Sequence, residues 1–507
     1  MKIINLFEAP LYLDDIDKLV PYSKDNKAFE IDDFIASKSM TLKFAFKNKM
    51  LIEESLYIKN NAKKEESIKI KEDIKPVVKK DSFLVNNLAP NVKPAEFNQA
   101  AEMLTLSNTD ESKKTYPEGI LKPAKEIFKE TGEMNFIYSG TAYDGGGYSR
   151  MNREFMLGLT KLGAKVKWES MNSKNDMDSE TSAKLGKLCG TKVPLDTPKI
   201  YGTTAPKHYT WERYKILITM METKTLHPDY VYNCNCADDI IVPSHWCKKV
   251  FEESGVKKPL TVVPLGVNTK LYTPDAPARS FNGKLKNYVF LSIFGWSLRK
   301  GYDVLLKAYL EEFTSDDDVS LLISSRYFGS TDKSKKDIIK NDIKGVVSTV
   351  RNKNLPHLSF FGDSLSDAAM PSLFTACNCS VLPSRGEGFS LFPLESGACG
   401  LPVITTRYSG QTDFLDDDNS YLIDVDGFGP CPRSLEGISQ YYENAEFPLL
   451  GKAAVEQTRY LMRHVYENQD EANAKAKVLR DKILLNYDWE NSSNQLYNAL
   501  KGIYNKF

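Results

Sequence analysis

The sequence predicts an α/β protein: two doubly wound, Rossmann-like domains facing a cleft, preceded by a small α+β accessory region. Three observations carry this. Short apolar runs alternate with amphipathic helical stretches in two blocks, 133–280 and 281–470. Each block contains a strand that opens into a glycine-bearing loop and then a helix. A polar stretch with Pro and Gly at 275–286 reads as the linker between the blocks. The length of 507 residues fits about three domains, and a hydrophobic content of 41% is enough to build their cores.

Residues 1–132 do not share the pattern. The run 42–46 alternates apolar and polar, Lys47-Asn48-Lys49 can turn, and Met50-Leu51-Ile52 follows, which predicts a β-hairpin. The stretch 59–80 is rich in Lys and Glu and reads as a linker or a solvated helix. A helix is expected over 118–131. Four roles stay open for this region: an accessory domain without chemistry, a docking module for a protein partner, an acceptor-binding module, or a cap particular to a lineage.

The second region, 133–280, starts with the strand Met134-Asn135-Phe136-Ile137-Tyr138, which runs into Gly145-Gly146-Gly147. Phe155, Leu157, Leu159 and Leu162 then mark an amphipathic helix that Gly163 ends, and Val166-Lys167-Trp168 starts the next strand. This is a β–loop–α–β unit, without the G-x-G-x-x-G dinucleotide fingerprint in register. Strands follow at 199–202, 214–219 and 239–244. Glu222 follows a strand end and so faces the cleft if the sheet is parallel, which makes it a candidate sugar or acceptor contact.

In the third region, 281–470, Tyr288-Val289-Phe290-Leu291-Ser292-Ile293-Phe294 is a buried strand. It opens into Gly295-Trp296-Ser297-Leu298-Arg299-Lys300-Gly301, ahead of a helix from Val304. Arg299 and Lys300 at that turn suit a pyrophosphate clamp. Strands at 319–323 and 358–361 and a helix over 366–375 lead to the stretch around which the chain is organised. Cys379-Ser380-Val381-Leu382-Pro383 is a buried strand. Ser384-Arg385-Gly386-Glu387-Gly388-Phe389-Ser390 is a loop in which Gly386 and Gly388 let backbone approach a ligand. Leu391-Phe392-Pro393-Leu394-Glu395 opens a helix, with Pro393 suited to its first turn. Unpaired amides and the positive end of the helix dipole make an anion site there. Glu395 is expected in the first helical turn, where a carboxylate can either stabilise the terminus or accept both hydroxyl protons of a ribose.

Glu387 and Glu395, with seven residues between them inside Ser-Arg-Gly-Glu-Gly-Phe-Ser, resemble the signature of retaining glycosyltransferases of GT-B fold, in the large family-four group. The run Val263-Pro264-Leu265-Gly266-Val267-Asn268 is similar to the end of that family's first domain, and Ser409-Gly410 stands where the family has two glycines. The resemblance covers roughly 133–507 and not the first 132 residues. It implies a nucleotide-diphosphate sugar as co-substrate, with Glu395 on the ribose and Lys300 and Arg299 on the diphosphate. The backbone of Gly388, Phe389, Ser390 and Leu391 would share the diphosphate. Glu387 would contact the sugar, and Gly146, Gly147 and Gly410 would lie against the donor. The family usually carries an Arg five residues before the Lys, where this chain has Gly295, so Arg299 is the less direct match. The family often places a His beside the sugar, and His208 and His227 are candidates by location. It also implies hexosyl transfer with retention to a glycan or small hydroxyl acceptor, without a metal or other cofactor. The tail, 471–507, is expected to form helices that pack back on the first sheet domain.

A formal net charge of zero argues against a general nucleic-acid binder. That weighs against one rival, a glycosyltransferase acting on nucleic-acid bases. A second rival is a non-catalytic nucleotide-sugar-binding structural protein, and a third is a GT-B epimerase. The eight cysteines follow no metal-site spacing and read as reduced core residues. The acidic runs 316–318 and 416–418 read as solvated loops. No stretch approaches a signal peptide or a membrane span, which makes the cytoplasm the expected compartment.

Overall fold

The computed structural model describes residues 121–172, 179–210, 213–281, 285–326, 333–362, 365–432, 435 and 439–506, together with five short strands among the first 53 residues. Two compact units divide between Lys114 and Thr115. In the first, β1 (Lys2–Asn5) pairs antiparallel with β4 (Phe29–Glu30) and β5 (Leu51–Glu53), while β2 (Leu11–Leu13) pairs with β3 (Lys18–Val20). The first arm of the expected hairpin, 42–46, and the charged stretch 59–80 lie outside the described residues. The second arm contributes to β5, whose described partner is β1.

The second unit opens with α1 (Ala124–Thr131), shorter than the helix expected over 118–131. Pro123 precedes its first turn and Gly132, at φ 74°, ends it in the left-handed conformation glycine tolerates. Its Phe128 ring lies 5.0 Å from Tyr504, so this helix belongs with the sheet domains and not with the first unit.

The first sheet domain comprises β6 (Asn135–Gly140), α2 (Gly147–Lys161), β7 (Lys165–Ser170), α3 (Ser179–Cys189), β8 (Lys199–Gly202), β9 (Lys215–Ile218), α4 (Pro228–Asn235), β10 (Asp239–Val242), α5 (His245–Glu253) and β11 (Leu260–Val262). Its strands are all parallel, in the order β11-β10-β9-β8-β6-β7. Every residue of β6, β8 and β10 is buried, which is why these segments read as mainly apolar and do not alternate.

The second sheet domain comprises β12 (Tyr288–Gly295), α6 (Tyr302–Glu312), β13 (Val319–Arg326), α7 (Lys333–Thr349), β14 (His357–Phe361), α8 (Pro371–Phe374), β15 (Cys379–Leu382), α9 (Leu391–Ala398), β16 (Val403–Thr406) and β17 (Tyr421–Ile423). It is parallel too, in the order β14-β13-β12-β15-β16-β17. The order reverses between β12 and β15, so the loops leaving those two strands open a crevice at their C-terminal ends. The helix expected over 366–375 is only the single turn α8. Pro371, lacking an N–H, begins it, and 366–370 forms turns instead.

After β17 comes a two-stranded ribbon that the sequence did not announce, β18 (Phe428–Pro430) and β19 (Glu446–Pro448). Three helices follow: α10 (Lys452–Glu467), α11 (Gln469–Asn486) and α12 (Trp489–Lys506). The tail divides between the domains. α11 stays on the second, where Leu479 and Ile483 crowd the bare face of Gly397 in α9. α12 crosses to the first, burying Leu496, Leu500 and Ile503 and setting Trp489 edge-on to Phe155 at 5.7 Å. All eight cysteines are free thiols, and Cys189 and Cys236 are exposed, so the core reading holds for the other six alone. Among the described residues no helix is long and apolar enough to cross a membrane.

Candidate functional site

The loop between β15 and α9 is held by charge. The Glu387 carboxylate accepts from Lys300 Nζ at 2.6 Å and from Ser384 Oγ at 2.7 Å, with Arg299 Nη1 3.5 Å away. Its backbone is fixed on the other side, where Glu387 N–H donates to Ser409 Oγ at 2.9 Å and Gly410 N–H donates to the Glu387 carbonyl at 2.9 Å. Arg299 continues the network to Glu222 of the first domain, 3.5 Å from its Nη2, and the Tyr442 hydroxyl donates to the other Glu222 oxygen at 2.9 Å. Lys300, Arg299, Glu387 and Glu222 therefore form one cluster across the two domains.

Burial and charge oppose each other in this cluster. Burial pushes the Glu387 carboxyl up, but Lys300 and Arg299 outweigh it and hold the group below the usual carboxylate range. For Lys300, burial is the largest influence and lowers its ammonium, helped by the Arg299 charge and opposed by Glu387. Burial pulls Arg299 down as well, yet Glu222, Tyr442 and Glu387 together raise it. Arg299 stays a cation under all ordinary conditions, and Lys300 is the one that loses its proton early.

Glu395 occupies a separate place. Ser390, at φ 81°, precedes α9 and makes no side-chain cap, so the helix starts at Leu391 and Glu395 is its fifth residue. The expected first-turn position is thus corrected to the second turn. Its carboxylate pairs with Arg150, which comes from the opening of α2 just after Gly146 and Gly147. Arg150 and Arg153 both also reach Asp367, at 3.0 and 2.9 Å. Gly146 and Gly147 are exposed, and Asp144 Oδ1 accepts from the Gly146 N–H at 2.7 Å.

The glycines of the loop have a reason to be glycine besides the one expected. A Cβ on Gly386 would lie 2.2 Å from the Glu222 carbonyl oxygen, and one on Gly388 would lie 2.7 Å from the Met220 side chain. The close neighbour is the other domain's chain after β9. That apposition is reinforced by Ser244 Oγ, which donates to the Gly388 carbonyl at 2.8 Å, and by Asp413, whose carboxylate accepts from the His245 N–H at 2.6 Å at the start of α5.

His227 serves the fold, since its Nδ1 accepts from the Asp229 N–H at 3.2 Å and caps α4. His208 lies exposed in the chain after β8. Among the described residues no group of three or more His, Cys, Asp or Glu is placed to hold a metal ion. The acidic runs are tied up by arginines, Asp317 by Arg463 at 2.9 Å and Asp417 by Arg407 at 2.7 Å. Sequence reasoning gave no role to the side chains of Arg150, Asp367, Ser384, Ser409 and Tyr442. Only Arg150 left a trace, as a cation in the first helical turn after a glycine loop.

Comparison with known proteins gives these positions a frame. Residues 277–426 match the family model described as glycosyl transferases group 1. A D-inositol 3-phosphate glycosyltransferase of Acidothermus cellulolyticus is 28% identical over 181 residues, covering 34% of this chain and 38% of that protein. This chain thus spans less than half the length of the curated relatives it matches. Among solved structures, sucrose-phosphate synthase from Thermosynechococcus elongatus superposes with a TM-score of 0.53 at 16% identity, over 74% of this chain and 100% of that one. Anabaena HepE, solved in complex with UDP and glucose, gives 0.51 at 14% identity, over 72% and 99%. The two facing parallel sheets are those of the GT-B fold, and Lys300, Glu387 and Glu395 all fall inside the family-matched stretch. The chain thus has a GT-B fold, and residues 277–426, in its second sheet domain, are similar to the group 1 glycosyl transferases.

Proposed function

We propose that this protein is a retaining glycosyltransferase that moves a hexose from a nucleotide-diphosphate sugar to a hydroxyl acceptor, a glycan or a small molecule. The observation that carries the reading is the pair Lys300 and Arg299 on Glu387, beside the N-terminus of α9 and inside the family-matched stretch. Both similar solved proteins reinforce it in kind: one is a sucrose-phosphate synthase, and the other was solved with UDP and glucose.

In this reading the diphosphate lies against Lys300, Arg299 and the amides of Gly388, Phe389, Ser390 and Leu391. Departure of the diphosphate builds negative charge, and each donor already aimed at it lowers the barrier by about 3 kcal/mol. Two side-chain cations and the positive end of α9 supply the charge that a divalent cation would otherwise bring. Glu387 holds Lys300 in place before the donor arrives and then meets the sugar hydroxyls. Glu395 exchanges Arg150 for the ribose hydroxyls. Gly146, Gly147 and Gly410 border the donor, and Glu222 faces the acceptor. The departing phosphate takes the acceptor proton on the same face, which gives retention without a protein nucleophile. We place the reaction in the cytoplasm, consistent with eight free thiols.

The test is a thermal-shift panel of nucleotide-sugars. A true donor at 100 times its Kd adds about 2.7 kcal/mol to stability. NMR of the product from the stabilising donor then reports the anomeric outcome. No stabilisation by any nucleotide-sugar refutes the donor site, and an inverted product refutes retention.

A further inference from the structure

Between β17 and α10 lies an excursion, 424–451, whose described residues, 424–432, 435 and 439–451, leave the second domain's sheet and enter the first domain. The family-matched stretch stops at 426, ahead of the ribbon. Cys431, Leu435, Tyr441, Tyr442 and Phe447 are buried in one cluster with Leu217, Tyr230 and Val250 of the first domain. The Tyr441 ring meets Tyr230 edge-on at 4.8 Å, and its hydroxyl accepts from Asn233 Nδ2 at 3.1 Å. The chain after β9 is pinned twice more. The Lys224 N–H donates to the Glu446 carbonyl at 3.0 Å, and Lys224 Nζ pairs with the Glu446 carboxylate at 2.9 Å.

The same ribbon reaches the charge cluster. Tyr442 packs its ring on Phe447 at 5.2 Å and donates its hydroxyl to Glu222 Oε2, while Arg299 faces Glu222 Oε1. One element thus holds Glu222 through Tyr442 and Lys224 through Glu446, two residues apart on one short segment. Parting the domains here means extracting buried aromatic side chains from a packed core. The Arg150 contacts to Glu395 and Asp367, by contrast, are polar and can exchange for ligand groups.

We propose that the excursion 424–451 is a strap that ties the two sheet domains together before any ligand arrives, and that Tyr442 is the positioning residue that aims Glu222 at Arg299. The second half rests on the donor-site reading given above. It deepens that reading by assigning the acceptor-facing carboxylate its support.

Hydrogen exchange of the full chain tests the strap. With no ligand, amides in 220–224 and 441–447 exchange as slowly as those of β10, and adding the nucleotide-sugar that most stabilises the wild type leaves them unchanged. Exchange at the rate of an exposed loop without ligand, or protection that appears only with ligand, overturns the strap. Tyr442→Phe and Tyr441→Phe test the positioning. Each keeps its ring and loses one hydroxyl of the ribbon, but only the first touches Glu222. With that donor, Tyr442→Phe lowers kcat for nucleotide release about tenfold at near-constant donor KM, the factor one hydrogen bond to a charged group carries. Tyr441→Phe lowers the melting temperature comparably and leaves kcat near the wild-type value. Equal kcat for the two variants overturns the positioning role. If no nucleotide-sugar stabilises the wild type, the donor reading fails while the ligand-free exchange rates still decide the strap.

Discussion

Lys300→Ala separates a structural ion pair from a catalytic one. The substitution removes an ammonium 2.6 Å from Glu387, whose side chain is only 8% exposed. Losing one partner of a buried pair costs about 3–5 kcal/mol. Glu387 keeps Ser384 at 2.7 Å and Arg299 at 3.5 Å, so the low end, about 3 kcal/mol, is expected here. Turnover falls further than folding alone explains, by about 10²–10³ at saturating donor, because in the proposed site the lost cation faces the leaving diphosphate. The double variant Lys300→Ala/Glu387→Gln distinguishes the two effects. It removes the stranded charge and regains most of the stability, but not the turnover. The pH dependence has a definite sign. Glu387 is held below its unfolded value, so its contribution is full above the ordinary carboxylate range and fades as pH falls through the folded value. The stability gap between wild type and Lys300→Ala therefore narrows toward acid. Thermal melts across pH and nucleotide-release assays on all three variants measure this. Recovery of turnover in the double variant, or wild-type melting of the single one, refutes the reasoning.

Other expectations follow from the same geometry. Glu395→Gln loses the ion pair to Arg150 and weakens donor binding about 10- to 100-fold by calorimetry, the loss of a charge-assisted contact; unchanged affinity rejects Glu395 as the ribose ligand. Gly386→Ala forces a methyl group onto the Glu222 carbonyl and lowers stability by about 1–3 kcal/mol, read as an earlier melt. Burial lowers the Lys300 ammonium, so its charge is lost as pH rises through a value below the ~10.4 of free lysine. Donor affinity then shows an alkaline limb that Lys300→Arg abolishes, and an identical limb in that variant assigns it elsewhere.

What the sequence conveyed divides along a physical line. Interactions within one segment were legible. Tyr288 to Phe294 and Cys379 to Leu382 read as buried strands because both faces of a parallel sheet are covered. Lys300 and Glu387 were singled out because each sits in a loop leaving a strand. Interactions between segments were not legible. Arg150 meets Glu395 across 245 residues and Tyr442 meets Glu222 across 220, and no local spacing encodes either. The glycines at 386 and 388 were seen but their neighbour in the other domain was not, since a bare Cα serves a ligand and a facing main chain equally. The ribbon's apolar residues follow no helical or strand period, because they are buried against a domain in which they play no part in the sheet. Even the position of Glu395 turned on the helix start: α9 opens at Leu391, directly after Ser390 with its positive φ, early enough to put Glu395 in the second turn.

The crossing helix α12 has a consequence for biosynthesis. Tyr504 bonds the main chain of Asn135 in the first parallel strand, and Trp489 packs on Phe155. The earlier half therefore waits on the ribosome for a piece of its own interior, and the ribbon that the later half lends it waits as well. A nascent chain halted before residue 489 exposes an apolar seam along α2 where chaperones would dock.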